Sequence, residues 1–183
     1  GGYPLAGWVG GPPEAALQSA ALALSPWEEV STSWDRCLLR VPATKAVNFY
    51  QASRAATYLA LSPAPPLKKG ATLVLDAACP EGLGKGTGEQ AFATLLARYR
   101  GDLSPLLADE TPLAGGAQPA LMLARLMEDY HLVVAGCVRA GDLRDLGIDA
   151  REESAEAIAG PEAPSVDQPF LRLPQLAASS TPS

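Results

Sequence analysis

Short apolar runs alternate with stretches of helical periodicity along this chain. The clearest run, residues 71–78 (ATLVLDAA), is almost continuously apolar, as a strand covered on both faces of a parallel sheet requires. Residues 36–41 and 131–135 predict two further strands, and shorter runs at residues 5–9 and 170–173 predict two more.

Helical spacing of apolar residues predicts helices between these strands. Pro12 and Pro13 suit the first turn of the first helix. Thr87 can cap another helix, with Gln90 completing a capping box. Residues 62–66 predict a loop that Lys68-Lys69-Gly70 closes. The predicted helices cover residues 17–24, 48–61, the stretch after Thr87, 120–127, 142–146 and 154–159, with Gly147 as a stop between the last two.

This order of elements predicts an α/β fold with three layers, in which helices cover both faces of a mostly parallel sheet. The length of 183 residues fits one domain, and 48% hydrophobic residues suffice to fill a core. The chain begins with Gly1 rather than Met, so we expect a fragment or a processed or trimmed product.

Composition excludes several classes of partner. The net charge is −6 and no stripe of Lys and Arg is present, which argues against a nucleic-acid backbone as ligand. No apolar run approaches the roughly 18 residues of a membrane helix, and no signal peptide is visible. Cys37, Cys79 and Cys137 form no Cys-x-x-Cys pair, so we expect buried free thiols in a reducing cytoplasm rather than a zinc site or a reactive thiol.

The first candidate site follows the strand at residues 36–41 and opens a helix, where ligands gather in open α/β sheets. Gln51 and Arg54 lie three residues apart, so they share a helix face near its positive end. An amide and a guanidinium there can hold a carboxylate, the guanidinium through paired donors. The structural alternative is that Asn48 caps the helix, with Gln51 as its capping-box partner, while Arg54 is solvated.

The second candidate site is a glycine-rich loop between a strand and a helix, where backbone N–H groups can bind an anion. It departs from the phosphate-loop signature because Gly86 separates Lys85 from the hydroxyl residue, and from the dinucleotide signature because the third glycine is missing. The alternative is a tight turn that needs glycine backbone angles. The residues of this candidate anion loop are Gly82, Gly84, Lys85 and Thr87.

Several catalytic arrangements lack the residues that they need. His131 is the sole histidine and opens an apolar run, which favours a structural role. One histidine supplies neither a paired acid and base nor a multi-histidine metal site. No serine elbow supports a Ser-His-Asp triad, and consecutive acidic pairs such as Glu28-Glu29 are typical of solvated surface.

Two segments resemble the carboxy-terminal domain of nickel-pincer-dependent lactate racemases: residues 48–54 (NFYQASR) and residues 69–84 (KGATLVLDAACPEGLG). Other pieces follow in the expected order, so the similarity covers nearly the whole chain. These further segments are residues 10–15, 123–125, 143–148, 173–175 and 180–182.

The resemblance implies an enzyme with two α/β domains and an active site between them. In that family the amino-terminal domain carries a lysine that tethers the nickel-pincer cofactor, a metal-ligating histidine, and two histidines that act as acid and base. The cofactor accepts a hydride from the carbon bearing the hydroxyl and returns it to either face. The carboxy-terminal domain closes over the cleft, with a Gln and a basic residue close to cofactor and substrate.

Gln51 matches the family's Gln by position, and Arg54 occupies the place of a lysine, whose geometry a guanidinium does not reproduce. Asn48 and Tyr50, beside them, complete the predicted substrate-binding set. Two departures concern the glycine pair expected near residues 42–44 and an aromatic residue expected near Gln118, both of which are absent.

The family's cofactor lysine and catalytic histidines have no counterpart in this chain. The resemblance therefore implies that the chain alone holds no cofactor and no catalytic residue, and that its partner is the missing amino-terminal cofactor domain. Two hypotheses follow: the substrate-side domain of a 2-hydroxy acid racemase or epimerase, inactive alone, or a stand-alone carboxylate- or anion-binding domain. A nucleotide-binding module that uses residues 82–88 is a third.

Overall fold

A computed structural model describes residues 11–16, 33–108 and 117–167. The chain divides into two units, one comprising Ser31–Leu173 and the other comprising Gly1–Val30 with Pro174–Ser183. The single domain predicted over residues 1–183 stays a prediction.

In the smaller unit, a helical turn begins at Pro13, where the Ala16 N–H donates to the Pro12 carbonyl at 2.9 Å. This start agrees with the preference of proline for a first helical turn. The strands predicted at residues 5–9 and 170–173 and the helix predicted at residues 17–24 lie outside the described residues.

The described part of the larger unit contains five strands and six helices. The strands are β1 (Trp34–Arg40), β2 (Leu67–Asp76), β3 (His131–Ala135), β4 (Asp149–Ala150) and β5 (Ser165–Asp167). The helices are α1 (Phe49–Ala60), α2 (Thr87–Tyr99), α3 (Ser104–Ala108), α4 (Gln118–Asp129), α5 (Ala140–Arg144) and α6 (Ala155–Ala159).

The five strands form one sheet in the order β4-β3-β2-β1-β5, and every neighbouring pair is parallel. The predicted parallel α/β sheet is therefore confirmed. Strands β1 to β4 are added in one direction, and β5 returns to the free side of β1. The strand order thus reverses between β1 and β5, and ligands of open α/β sheets bind in the crevice at the carboxyl ends of such strands.

Successive side chains of the strands point to opposite faces of the sheet and pack into two separate cores. Leu39 and Leu75 belong to the larger core, which includes buried residues of α1, α2 and α4. Leu38 and Val74 point the opposite way and join a smaller core with Ala159 of α6. Burial on both faces explains why these strands read as continuous apolar runs, and it confirms helices on both sides of the sheet.

Strand β2 begins at Leu67, so the prediction that residues 68–70 close a loop is wrong. The register with β1 jumps from Trp34↔Leu67 to Arg36↔Thr72, so β2 accommodates extra residues in a bulge. The lysines of this bulge stay at the surface, where Lys68 pairs with Asp35 at 2.8 Å. A polar sequence in a bulged strand end is easily read as a loop.

Three short elements were not predicted from the sequence. Strands β4 and β5 have two and three residues, too few for a periodic pattern, and α3 is a five-residue helix. Among the helices of the described ranges, none has the length and apolar character needed to cross a membrane.

Candidate functional site

The first candidate site lies where α1 begins, at the carboxyl edge of the sheet. Asn48 is the N-cap of α1, and its Oδ1 accepts a hydrogen bond from the Gln51 backbone N–H at 2.9 Å. Its Nδ2 donates to Glu89 Oε1 at 3.0 Å, and the residue is only 2% exposed. Both polar atoms of the Asn48 amide are therefore engaged within the fold, and the N-cap role predicted for this residue is confirmed.

Arg54 is held against Tyr50 one helical turn earlier. Its guanidinium lies 5.0 Å from the centroid of the Tyr50 ring, and its Nη2 donates to Tyr50 Oη at 3.2 Å. The Tyr50 ring packs edge-on against Phe92, with 5.5 Å between centroids. A cation over an aromatic face is attracted by the ring electrons, so this contact fixes the guanidinium on a rigid support.

The positive charge of Arg54 has no acidic partner among the residues that the structure describes. The ion pairs within those ranges involve Arg40, Arg125, Arg139, Arg151 and two lysines, but not Arg54. Gln51, three residues earlier, is half-buried like Arg54 and shares its helix face. These two side chains therefore present an amide and a cation close together.

The second candidate, the glycine-rich loop, is organised by Glu89. Glu89 Oε2 accepts from the backbone N–H of Lys85 at 2.5 Å and from that of Gly86 at 2.7 Å. Gly84 has φ +100°, and a Cβ there would overlap the Glu89 carboxylate. The tight turn that needs glycine angles is thus present, and the two amides that could face an external anion are occupied by a carboxylate of the chain itself.

The predicted cap of α2 is wrong by one residue. The N-cap is Gly86, while Thr87 is the first helical residue. Glu89, at the third helical position, fills the role predicted for Gln90, and Gln90 Nε2 instead donates to the Lys85 carbonyl at 3.1 Å. A charged carboxylate is a stronger acceptor for the first amides of a helix than a hydroxyl or a neutral amide, which explains the shift.

Backbone hydrogen bonds join the loop after β1 to the loop after β2. The N–H groups of Cys79 and Glu81 donate to the carbonyls of Ala46 and Val47, both at 2.9 Å. The Phe49 N–H donates to the Gly82 carbonyl at 2.7 Å. With the bond between Asn48 and Glu89, these contacts fix the first turn of α1 on the glycine-rich loop.

Replacing Glu89 by Gln should change how stability depends on pH. The hydrogen bond from Gly86, aided by those from Asn48 and Lys85, lowers the pKa of Glu89 below its ordinary 4.5 against the opposing effect of burial. A lowered pKa in the folded state means that the charged form stabilises the fold above pH 4.5, and that this contribution is lost as the pH falls through the folded value. In Glu89→Gln the amide cannot be ionised.

We therefore expect Glu89→Gln to be less stable than the wild type at pH 7, by about 1 kcal/mol as for other lost helix caps. The difference should shrink as the pH falls below 4.5. Urea denaturation at pH 7, 5, 4 and 3 measures both free energies of unfolding. A difference that stays constant from pH 7 to 3 would contradict the ionised cap.

A second charged cluster at the same edge was not singled out from the sequence. Arg40, the last residue of β1, contacts Glu156 at 2.8 Å, Asp167 at 3.6 Å and Asp76 at 3.7 Å. Burial, followed by the charge of Glu156, raises the pKa of Asp76, while Arg40 opposes that rise. The strand-terminal positions of Arg40 and Asp76 were the signal that could have revealed this cluster. Because all three carboxylates pair with Arg40, the cluster connects the ends of β1, β2 and β5 with α6.

The residues present do not form a metal centre of their own. Within residues 11–16, 33–108 and 117–167, no three His, Cys, Asp or Glu side chains are grouped so that they could hold a metal ion. His131 is exposed at the start of β3, and therefore at the amino edge of the parallel sheet, opposite Gln51 and Arg54.

Comparisons with known proteins concern the fold. No protein-family model matches the chain, and no curated protein matches it by sequence. A solved structure with a similar fold is the lactate racemase apoprotein from Thermoanaerobacterium thermosaccharolyticum, with a TM-score of 0.60 and 16% sequence identity. The match covers 85% of this chain and 39% of that one, so this chain spans less than half the length of its structural neighbour. The chain is therefore similar in fold to part of a lactate racemase.

Proposed function

We propose that this chain is the substrate-side domain of a lactate-racemase-like protein, which closes over a cofactor-bearing domain and binds the carboxylate of a small 2-hydroxy acid. The proposal is supported by the fold, which is similar to part of a lactate racemase, and by the sequence resemblance, which implies that Gln51 and Arg54 belong to the substrate side.

The observation that carries the proposal is the state of Arg54. Its guanidinium rests on Tyr50 at 5.0 Å and has no carboxylate within 4.0 Å among the described residues. A half-buried cation without a counter-ion favours an external anion, and a guanidinium pairs with a carboxylate through two parallel hydrogen bonds.

Gln51 suits the neutral part of the same ligand. Its side chain offers one acceptor and two donors, so it can hydrogen bond to a hydroxyl beside the carboxylate. Its position in the first turn of α1 adds the partial positive charge of the helix N-terminus. An amide and a cation together would select a 2-hydroxy acid over a simple carboxylate.

The chemistry of racemisation belongs, in this proposal, to another domain. The family's nickel-pincer cofactor supplies a hydride acceptor when it is bound, and the resemblance implies that its lysine and histidines belong to the amino-terminal domain. We therefore propose that the chain alone binds the 2-hydroxy acid without interconverting its enantiomers, and that Arg54 and Gln51 only orient the substrate.

Titration of the 183-residue chain with L- and D-lactate tests the binding step. We expect Arg54→Ala to weaken binding about 10- to 100-fold, since a hydrogen bond to a charged group contributes about 1.5–3 kcal/mol. Isothermal calorimetry at millimolar lactate measures the dissociation constants.

Arg125→Ala is the matched control, because Arg125 is an exposed arginine on α4 that pairs with Glu128. It should bind lactate like the wild type. Equal affinity of the wild type and Arg54→Ala would refute the site. If acetate and phosphate bind as tightly as lactate, the domain is a general anion-binding module rather than a 2-hydroxy acid domain.

A further inference from the structure

Two of the three cysteines lie side by side at the carboxyl edge of the sheet. Cys79 follows β2 and Cys137 follows β3, and these strands are parallel neighbours. The backbone pairing of these two strands continues past their last residues. The Ala77 N–H donates to the Ala135 carbonyl at 3.1 Å, and the Val138 N–H donates to the Ala78 carbonyl at 2.9 Å. Ala78 thus lies opposite Cys137, and Cys79 is the next residue.

The spacing of the two backbones suits a covalent link. Cys79 and Cys137 are diagonal neighbours on strands about 4.8 Å apart, which corresponds to about 6 Å between Cα atoms, and disulfides span about 4.4–6.8 Å. Both side chains belong to the larger core, so they lie on the same side of the sheet. Both residues are 0% exposed, so the surrounding core restricts the orientations of their side chains.

The backbone of Cys79 adopts an unusual conformation that places its side chain in the core. Its φ is +45°, and among the described residues it is the sole non-glycine in the left-handed region. The hydrogen bonds that impose this turn run from the Cys79 N–H to Ala46 and from the Gly82 N–H to the Cys79 carbonyl, both at 2.9 Å. Glycine usually occupies such a position because it lacks a Cβ. A cysteine at this position therefore adopts a strained backbone conformation.

The environments of the cysteines differ in a way that affects reactivity. The neighbouring Cys79 thiol, joined by the Arg139 backbone N–H and the charge of Arg144, lowers the pKa of Cys137 below its ordinary value against the effect of burial. The Cys137 thiol in turn raises the pKa of Cys79. Burial alone raises the pKa of Cys37 to about 12. The thiolate is the nucleophile, so Cys137 is the reactive member of the set.

We propose that Cys79 and Cys137 form a redox modification site, in which a hydroperoxide converts the two thiols into a disulfide that small thiols reverse. The Cys137 thiolate attacks one oxygen of hydrogen peroxide, which breaks the O–O bond, releases hydroxide and leaves a sulfenic acid. The Cys79 thiol then attacks the Cys137 sulfur, the S–O bond breaks, and water leaves with the thiol proton. The two sulfurs lose two electrons and the peroxide gains them.

The cross-link would act on the loops beside the first candidate site. It ties the end of β2 to the end of β3 at the residue from which the glycine-rich loop departs. That loop is bonded to the first turn of α1 through Phe49 and Gly82. Oxidation would therefore restrict the segment on which Gln51 and Arg54 are built, whatever ligand that segment binds.

Peptide mapping of the 183-residue chain tests the site directly. The three cysteines fall in separate tryptic peptides, residues 37–40, 70–85 and 126–139. After treatment with hydrogen peroxide, we expect one cross-linked pair, residues 70–85 with 126–139, lighter by two hydrogens than the sum of its parts. Titratable thiols in denaturant should fall from three to one and return to three with dithiothreitol.

Cys37→Ser is the matched control, because it removes a buried thiol that lies outside the pair. Its thiols should fall from two to none, whereas Cys79→Ser and Cys137→Ser should give no cross-link within one chain. The proposal is overturned if the wild type keeps three thiols at peroxide concentrations that oxidise free glutathione, or if Cys37 appears in the cross-linked peptide. The wild-type map stands by itself even if a serine variant fails to fold.

Discussion

Replacing Phe92 by alanine is expected to lower the free energy of unfolding by about 3–5 kcal/mol, the cost of removing a phenyl ring from a closed core. Phe92 is 0% exposed, and its ring lies 5.9 Å from Phe49 and 5.5 Å from Tyr50, centroid to centroid. Loss of the ring leaves a cavity under α1 and removes the support on which Tyr50 holds Arg54. Urea denaturation followed by circular dichroism measures the change.

Phe92→Leu is the control for this substitution. Leucine keeps most of the apolar volume, so the expected loss is below about 1.5 kcal/mol. Phe92→Ala should also weaken lactate binding in the fraction that remains folded, because Tyr50 loses its edge contact. A loss of stability below 1 kcal/mol in Phe92→Ala would mean that the ring is not the centre of this core.

Replacing Gly147 by alanine is expected to cost about 2–5 kcal/mol. Gly147 ends the segment after α5 with φ +81°, and a Cβ there would overlap the backbone of Gly101 at its Cα and N. The left-handed backbone costs an alanine about 1–2 kcal/mol, and forcing an extra carbon into a packed contact costs a further 1–3 kcal/mol. Backbone cannot rotate away as a side chain can, so the second cost persists.

Gly160 separates these two costs. Its φ is +83°, nearly that of Gly147, but a Cβ would meet no atom of the described residues within 4 Å. Because its ψ of 160° places it in a region that is essentially confined to glycine, Gly160→Ala should lose about 1–3 kcal/mol from backbone strain alone. Thermal denaturation of both variants gives the comparison. Equal losses in the two variants would show that the contact between Gly147 and Gly101 does not constrain the fold.

The main strands were predictable because each is buried on both faces. Residues 131–135 were predicted as a strand with the bounds that the structure gives to β3, and the apolar run at residues 71–78 falls largely within β2. The helix predicted at residues 48–61 matches α1 together with its two caps. The bulged start of β2 was missed because its lysines carry the polar signature of a loop, although they lie between residues of β2 that pair with β1.

The candidate site was predictable only in part, because chain-distant contacts decide it. The spacing of Gln51 and Arg54 on one helix face follows from local geometry, and so does the N-cap role of Asn48. The hydrogen bond between Asn48 and Glu89, which are 41 residues apart in the sequence, cannot be predicted from local geometry. Glu89 was not considered in the sequence because Thr87 and Gln90 satisfied a local rule one residue later. The proximity of Cys79 and Cys137 likewise depends on which strands are neighbours.

Nuclear magnetic resonance of the side chains of Gln51 and Arg54 tests the central proposal most directly. Lactate is titrated into the 15N-labelled chain, and the Arg54 Nε–H and the Gln51 Nε2 amide are followed. The proposal predicts saturable shifts of both groups with one dissociation constant, and no such shift of the Arg125 Nε–H. Saturable shifts confined to the amides of residues 82–88, or no saturable shift at Arg54, would contradict it.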